Sequence, residues 1–369
     1  MERKAYDPGM DAVYLAACAL HGAVPQGDRD LDALLEFCKF HKITAMTAMA
    51  LEPLWAPDDP AAKPWRQERD MAIRKNLLLN NERQALLAHM EKLGCWYLPL
   101  KGSVLQYTYP KFGMRQMGDN DILFDPAFRE SLRDHMTARG YTVTDYGHQN
   151  HDEYAKAPVY NMELHVALFG VEYPALAGYY ADVKSRLVKD PDNGFGYHFA
   201  DEDFYIYITA HAYKHFTTGG TGIRHLVDTW VYLGKHDLDR DYVTGELEKL
   251  GAADFERQCR SLSRKLFDTP ERPVLTEAET VFLNAFLRSG AYGTADQRVE
   301  NALDRAGDRT GYVLGRLFPP PELLAVNYPV LHRHPWLYPF CLAARLFRAL
   351  WKAPGRLLRE LTILIKGKK

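Results

Sequence analysis

The sequence has few cysteines, no long apolar run and almost no net charge. Its five cysteines are widely spaced and include no Cys-x-x-Cys pair, which argues against both a disulfide framework and a zinc site. No apolar stretch approaches the roughly 18 residues that a membrane span needs, and the first residues lead into no signal-peptide core. With a formal net charge of -2, the chain as a whole is not basic. We therefore expect a cytoplasmic protein with reduced thiols and no transmembrane segment.

The chain also lacks internal repeats and low-complexity tracts, so neither a solenoid nor a compositionally biased architecture is indicated. Its 369 residues are 47% hydrophobic and 25% charged. This composition is typical of globular proteins, and the length is sufficient for two or three domains.

Helical periodicity flanks a central segment that has strand patterns. The central strands are predicted at 96–100, 122–124, 141–143 and 159–166. The main helices are predicted at 71–93, 104–109, 126–139, 204–216, 223–233 and 241–250. We therefore expect an α+β fold, in which a small mixed sheet with helices on one side is flanked by N-terminal and C-terminal helical regions. The expected divisions are a helical region at 1–90, the core at 91–200, a helical domain completing the cleft at 201–318 and a basic amphipathic tail at 319–369.

A glycine and a serine follow the first predicted strand, in the turn Lys101-Gly102-Ser103. A Gly-Ser turn that opens a helix can hold phosphates with its backbone N–H groups. Lys101 and Arg115 flank this turn and the next strand, where two cations can neutralise a triphosphate. The segment therefore predicts a phosphate-binding turn.

Three carboxylates are expected to meet on one face of the sheet. Asp119 and Asp121 occupy positions i and i+2, so they point the same way, and an apolar run follows them directly. Around Glu163, alternation predicts a strand whose polar face carries Asn161, Glu163 and His165. Three carboxylates offer the oxygen-rich shell that one or two Mg²⁺ or Mn²⁺ ions prefer.

The Asp-x-Asp spacing has little specificity by itself, because other aspartates of this chain repeat it. We expect most of those to lie in solvated turns or at helix starts. The further occurrences are Asp28/Asp30/Asp32, Asp190/Asp192, Asp201/Asp203 and Asp237/Asp239/Asp241. The alternative for Asp119 and Asp121 is that they cap loops, with Glu163 an exposed edge residue.

Taken in order, these motifs resemble the nucleotidyltransferase superfamily, that of DNA polymerase β, and more closely a little-characterised bacterial branch of it. The resemblance covers roughly residues 85 to 235. Its motifs are Leu100-Lys101-Gly102, Arg115 with Asp119 and Asp121, Glu163-Leu164-His165, His211-Ala212-Tyr213-Lys214-His215, and Arg224 with Leu226-Val227-Asp228.

This resemblance implies a Mg²⁺-dependent transfer of a nucleoside monophosphate from an NTP to a hydroxyl acceptor, with release of pyrophosphate. It assigns catalysis and metal binding to Asp119, Asp121 and Glu163. It assigns nucleotide binding to Lys101, Gly102, Ser103, Arg115, Lys214, Arg224 and Asp228. The acceptor, whether a protein side chain, an RNA end or a small molecule, is not written in the sequence.

One departure from the family pattern keeps other functions open. The residue between the paired aspartates is usually apolar, whereas here it is Asn120, so either the strand lies at an edge or the site is altered. The altered site motivates an alternative function, a catalytically silent nucleotide-binding or scaffolding protein with the same fold. A third alternative is phosphotransfer of the kinase kind.

Two helical motifs have more than one interpretation. His211, Lys214 and His215 share one helix face, which suits a phosphate- or base-contacting Lys214, a zinc site at the two histidines, or a solvated face. Arg224 and Asp228 are four residues apart, which suits a helix ion pair or a pair lining the cleft.

The tail is basic and amphipathic. From His332 to Lys369 it holds nine lysines and arginines against the single acidic residue Glu360, together with many large apolar residues. Such helices can lie on anionic membranes or contact RNA phosphates. The alternative, slightly favoured by the aromatic content of the tail, is that its apolar stripe packs on the helical domain. Pro354-Gly355 is expected to split the tail into two helices.

Overall fold

The computed structural model describes residues 7–352 together with residues 355, 360 and 362. The chain begins with four helices, which are α1 Pro8–His21, α2 Leu31–His41, α3 Thr44–Leu51 and α4 Ala62–Leu93. Short 3-10 turns lie at Glu52–Leu54, Pro126–Phe128, Val183–Arg186 and Pro335–Leu337. The long helix α4 ends at Gly94, whose φ of 71° gives the left-handed C-cap that glycine adopts most readily.

A five-stranded mixed sheet follows α4. Its strands are β1 Tyr97–Pro99, β2 Asn120–Phe124, β3 Thr142–Asp145, β4 His151–Lys156 and β5 Tyr160–His165. Their spatial order is β1-β2-β5-β4-β3, with β2 and β5 parallel and the other neighbours antiparallel. The register sets Asp121 opposite Glu163 and His151 opposite His165.

The remaining elements surround this sheet. Helices α5 Gly102–Leu105, α6 Arg129–Ala138 and α7 Pro174–Tyr179 lie between or after its strands. Strands β6 Leu187–Lys189 and β7 Tyr197–Phe199 form a separate two-stranded sheet. The later helices are α8 Asp201–Thr218, α9 Arg224–Lys235, α10 Arg240–Lys249, α11 Ala253–Phe267, α12 Glu277–Ser289, α13 Ala295–Ala306, α14 Arg309–Leu317, α15 Pro321–Asn327, α16 Val330–Arg333 and α17 Tyr338–Lys352.

One face of the sheet is apolar and the other is largely polar. On the apolar face, Ile122 and Leu164 pack with Leu86 of α4 and Leu132 of α6. Neighbouring residues along each strand point to the opposite face, so burying this face in the core turns the carboxylates of β2 and β5 away from it. The packing of α4 and α6 therefore orients the candidate site.

The N-terminal helices share an apolar core with later helices. Leu15 of α1, Met46 of α3, Leu226 of α9 and Leu262 of α11 belong to one buried cluster. The segments before and after the sheet are thus packed against each other.

The predicted α+β class is confirmed, and β2, β5 and helices α8 to α10 lie where the sequence indicated. The helix predicted at 104–109 is instead the shorter α5, and β4, β6 and β7 were not predicted. Helices also contact both faces of the sheet, because Leu98 and Leu123 join a cluster that includes Ile208 of α8. The expectation of helices on one side only was therefore wrong.

Two expectations about the whole chain can be compared with the described residues. All five cysteines are buried free thiols. Within the described ranges, no helix has both the length and the apolar character that crossing a membrane requires. Most of the predicted tail after Lys352, including the break at Pro354, lies outside the described residues.

Candidate functional site

The turn between β1 and α5 holds Lys101 in an unusual backbone conformation. Its φ is 48° and its ψ is -117°, and the Ser103 N–H donates to the Leu100 carbonyl at 3.2 Å. Lys101 thus occupies the first central position of a turn close to type II′, where glycine is strongly preferred. Such strain, about 1 to 3 kcal/mol, persists only where the surroundings hold the residue in place. Here the side chain is held by Asp121.

Asp121 is a buried carboxylate with two partners on one oxygen. Lys101 Nζ donates to Asp121 Oδ1 at 2.6 Å, and His165 Nε2 lies 3.0 Å from the same atom. Although burial alone would raise the pKa of Asp121, Lys101 and His165 lower it well below the usual range. Asp121 therefore remains ionised in the folded protein.

Asp119 lies in the loop just before β2 and faces the same cavity as Asp121 and Glu163. Burial, followed by the negative charges of Asp121 and Glu163, raises the pKa of Asp119 to about 7. No hydrogen bond or ion pair to Asp119 is formed by any residue in the described part of the chain. Asp119 thus has no cation in direct contact among the described residues, and carboxylate oxygens are ligands that Mg²⁺ prefers. The residues present fit a divalent cation.

Asn120, the departure from the family pattern, points away from this cavity. Its Nδ2 donates to the Leu79 carbonyl of α4 at 2.8 Å, and Arg83 Nη1 donates to its Oδ1 at 2.9 Å. Strand β2 is also not an edge strand, since β1 and β5 flank it. The buried amide of Asn120 therefore has its hydrogen-bond partners in α4, and Asn120 changes none of the candidate ligands. Neither of the two expected explanations, an edge strand or an altered site, applies.

Arg115 and Asp228 form a buried bidentate ion pair. Arg115 Nε and Nη2 donate to the two oxygens of Asp228 at 2.7 and 3.0 Å, and the Tyr109 hydroxyl donates to Asp228 Oδ1 at 2.6 Å. The guanidinium lies over Gly102, where a Cβ would come within 2.6 Å of Arg115 Nη1. Gly102 thus leaves room for a cation beside the turn. Asp228 acts here as an anchor for that cation.

Arg224 does not form the expected helix ion pair with Asp228. Its Nη1 donates to the Gln116 carbonyl at 3.0 Å, and no ion pair of Arg224 lies within 4 Å in the described part of the chain. The helix-pair interpretation was therefore wrong, because Asp228 already forms an ion pair with Arg115, which lies much farther away in the sequence. Arg224 borders the cavity instead.

Lys214 is a second cation without a close acidic partner among the described residues. Its ammonium lies 5.7 and 5.2 Å from the ring centroids of Phe169 and Tyr173. Burial and repulsion from Lys101 lower the pKa of Lys214 to about 8. A buried cation that lacks an anion is a favourable place for a phosphate.

The two histidines on the same helix face contact each other. His215 Nε2 lies 3.3 Å from His211 Nε2. Burial, together with nearby lysines, lowers the pKa of His215 to about 3 and that of His211 well below its usual value. Within the described residues, neither belongs to a group of three close metal ligands. The zinc interpretation therefore lacks further ligands.

These residues enclose a cavity of about 340 Å³. Carboxylates and cations both line this cavity, so an anionic ligand with a bound cation is the complementary occupant. The charged residues at its border are Lys101, Arg115, Asp119, Asp121, Glu163, Lys214, Arg224 and Asp228. Gly102 also borders the cavity.

Ser103 is the one predicted site residue that does not border the cavity. Its side chain is buried, and its hydroxyl donates to the Leu100 carbonyl at 2.5 Å. Its N–H group donates to the same carbonyl. The Ser103 N–H, one of the backbone donors on which the phosphate-turn prediction relied, is therefore used within the turn itself.

Sequence reasoning missed three residues of the site. His151 of β4 faces Glu163, with its Nε2 3.9 Å from Glu163 Oε2. Asn76 of α4 donates to the Arg115 carbonyl at 2.8 Å and accepts from the Met117 N–H at 3.0 Å. Tyr109 binds Asp228. The only available signal was for Asn76, a polar residue on the apolar side of a long helical pattern.

Among the comparisons with known proteins, one identifies a family. Residues 27–268 match the model of a family described as uncharacterised nucleotidyltransferases. No curated protein and no solved structure matches the chain. The family match spans well over half of the 369 residues and includes every charged residue that borders the cavity. The chain therefore belongs to this uncharacterised nucleotidyltransferase family.

Proposed function

We propose that the protein transfers a nucleoside monophosphate from a Mg²⁺-bound NTP to a hydroxyl-bearing acceptor and releases pyrophosphate. The observation that carries this proposal is the cavity of about 340 Å³, whose lining combines the carboxylates Asp119, Asp121 and Glu163 with several cations. A metal triphosphate needs both carboxylates and cations, since its metal ion requires oxygen ligands and its phosphates require positive charge.

Each side chain has a distinct task in this proposal. Asp119, Asp121 and Glu163 hold the cation, and Mg²⁺ or Mn²⁺ there would neutralise triphosphate charge and ready the attacking hydroxyl. Lys214 and Arg224 bind phosphate oxygens, because neither is committed to a carboxylate within the described residues. Arg115 contributes Nη1, the guanidinium nitrogen that the Asp228 pair leaves unused.

Lys101 has a further task at the carboxylates. Its bond to Asp121 keeps that carboxylate ionised and oriented before a cation arrives. The strained turn holds the ammonium in place, so the site is organised in advance.

The proposal is tested by nucleotide binding in the variant that combines Asp119→Ala with Asp121→Ala. We expect wild-type protein to bind a fluorescent NTP analogue in the presence of Mg²⁺ and to release it on addition of EDTA, and the double variant to lose this Mg²⁺-dependent binding. The matched control combines Asp28→Ala with Asp32→Ala, two exposed aspartates far from the cavity. Equal Mg²⁺-NTP affinity in the wild type and in the Asp119/Asp121 variant would refute the metal assignment.

One observation favours the non-catalytic alternative, a silent nucleotide-binding protein. Asp121 is engaged by both Lys101 and His165, which compete with a cation for its oxygens. Pyrophosphate release from α-labelled NTP across a panel of RNA, protein and small-molecule acceptors distinguishes turnover from binding alone.

Transfer of a γ-phosphate label to product would instead identify the kinase-type reaction. The size of the labelled product then identifies the acceptor class.

A further inference from the structure

We propose that His151, Glu163 and His165 form a binding site for a divalent transition-metal ion such as Mn²⁺, distinct in chemistry from the all-oxygen site for Mg²⁺. The inference deepens the proposed function and rests on it through Glu163, which the two cation positions share. It assigns a role to β4, whose polar face has none in the nucleotide site.

The strand register brings the three side chains together. His151 of β4 lies directly opposite His165 of β5 in an antiparallel pair. Glu163 precedes His165 by two residues, so its side chain points to the same face of the sheet. One potential ligand atom from each residue lies within 4.8 Å of the other two.

The separations suit ligands of a single ion. His165 Nε2 lies 3.5 Å and His151 Nε2 lies 3.9 Å from Glu163 Oε2, and the two imidazole centroids are 4.9 Å apart. Ligand atoms bound at about 2.1 Å to one ion lie roughly 3 to 4 Å from one another. Joint coordination would therefore need small side-chain adjustments, and at His165 Nε2 the ion would replace the 3.0 Å contact with Asp121.

Glu163 and His151 have few other partners. The ion pairs of Glu163 within 4 Å, counted over the described residues, involve only these two histidines, whereas Asp121 also has Lys101. His151 Nδ1 is buried and has no hydrogen-bond partner among the described residues. Coordination through His151 Nε2 would therefore supply the positive charge that Glu163 lacks and would replace the 3.4 Å contact of that nitrogen with Glu153.

The donor set selects the ion. Imidazole nitrogen suits iron and zinc, and Mn²⁺, although it prefers oxygen ligands, tolerates a mixed nitrogen and oxygen shell better than Mg²⁺, which keeps an all-oxygen octahedral shell. Two histidines and one carboxylate thus favour a transition metal over Mg²⁺ at this position.

The test uses Mn²⁺ alone, titrated into full-length protein that has been stripped with a chelator. We expect bound Mn²⁺ to show ¹⁴N couplings from imidazole in pulsed electron paramagnetic resonance, and excess Mg²⁺ not to remove them. His151→Gln should weaken Mn²⁺ binding by about tenfold or more. The matched control is His148→Gln. It changes an exposed histidine of the loop before β4, whose partner is Asp145 at the end of β3.

Absence of ¹⁴N coupling in the wild type would overturn the proposal, since bound Mn²⁺ would then have carboxylate ligands alone. Equal Mn²⁺ affinity in His151→Gln and wild type would also overturn it. The wild-type spectrum does not depend on whether the variant folds, and a thermal melt of the metal-free variant checks its folding. Mg²⁺-dependent NTP binding by the wild type is measured separately, so failure of the proposed function gives a different result from failure of the histidine site.

Discussion

At the scale of single residues, Lys101 has a strained backbone conformation and also places a positive charge beside Asp121. A non-glycine residue with φ of 48° and ψ of -117° is held against its intrinsic preference. The ammonium contact with Asp121 at 2.6 Å is the interaction that offsets this cost. Removing the side chain should therefore expose the strain of the turn.

We expect Lys101→Ala to be less stable than Lys101→Gly by about 1 kcal/mol, because both lose the ion pair but only alanine keeps the strained backbone. Urea unfolding of the two variants measures the difference. Lys111 provides the control, since it is exposed and its φ is not positive. There, glycine should be no more stable than alanine. Equal stability of the two variants at position 101 would show that the turn stores no strain.

The residues of the site differ in how far sequence could predict them. Asp119, Asp121 and Glu163 were identified because the apolar pattern of their strands fixed which way they point. The ion pair of Asp228 could not be predicted from local sequence patterns, because its partner Arg115 lies 113 residues earlier. For Ser103, a local hydrogen bond to Leu100 competed with the predicted role.

At the scale of elements, β4 shows why a strand can escape detection. Its buried positions are Asp152 and Tyr154, so it lacks the apolar alternation that marks a strand. Arg129 makes this burial possible, because its Nε and Nη2 donate to Asp152 at 2.7 and 2.6 Å. Because an ion pair, and not an apolar side chain, fills the buried position 152, the sequence pattern did not predict the strand. His151, which lies on this strand, was therefore missed as well.

The other aspartate pairs behave as expected from the sequence. Asp30 and Asp239 cap the N-termini of α2 and α10, and Asp201 and Asp203 lie in the first turn of α8. Asp190 instead accepts a hydrogen bond from His198 across the small sheet. Aspartates at helix starts are stabilised by the N-terminal N–H groups, so the same spacing there carries no metal chemistry.

Helix α17 has an exposed aromatic surface on and beside it. Trp336, Phe340, Phe347 and Trp351 are 69%, 67%, 76% and 89% exposed. The expectation that the tail's aromatic residues pack on the helical domain does not hold for these four. On α17, Cys341 and Leu342 are buried, in a small cluster with Leu324 and Leu331.

We expect the full chain to sediment with vesicles containing anionic lipid, and binding to weaken between about 50 and 200 mM salt. Replacing Trp336, Phe340 and Phe347 by serine should abolish sedimentation without lowering the melting temperature, because these side chains are exposed. The control replaces Val274 and Val281, exposed elsewhere, by serine. Retention of RNA without vesicle binding would point to the other partner class, and an early-melting variant would support the packing alternative.

At the scale of the whole molecule, buried neutral histidines link helices from distant parts of the chain. His41 of α2 donates through Nε2 to the Leu287 carbonyl of α12 at 3.1 Å, and His225 of α9 stacks on Phe255 of α11. Burial lowers the pKa of each to about 4. Protonation of either side chain therefore opposes folding.

This arrangement predicts acid sensitivity. An unfolded histidine binds a proton near pH 6.5, whereas the folded one does so only near pH 4. The stabilisation is present above pH 6.5 and is lost as the pH falls toward 4, by about 1.4 kcal/mol per pH unit for each residue. Urea unfolding from pH 7 to 4.5 should show a shallower loss in His225→Phe. His332→Phe, at an exposed position, is the control. Identical slopes in wild type and His225→Phe would contradict this account.

The five buried thiols have a consequence for observing how the molecule opens. Cys18, Cys38 and Cys259 lie in the cluster shared by the N-terminal and later helices, Cys95 lies beneath the sheet, and Cys341 lies in the C-terminal cluster. An alkylating reagent reaches a buried sulfur only when its surroundings separate. The order in which these sulfurs are modified under native conditions would therefore report which core loosens first. Modification of Cys341 well before Cys95 would mean that the C-terminal helices detach while the apolar core beneath the sheet stays closed.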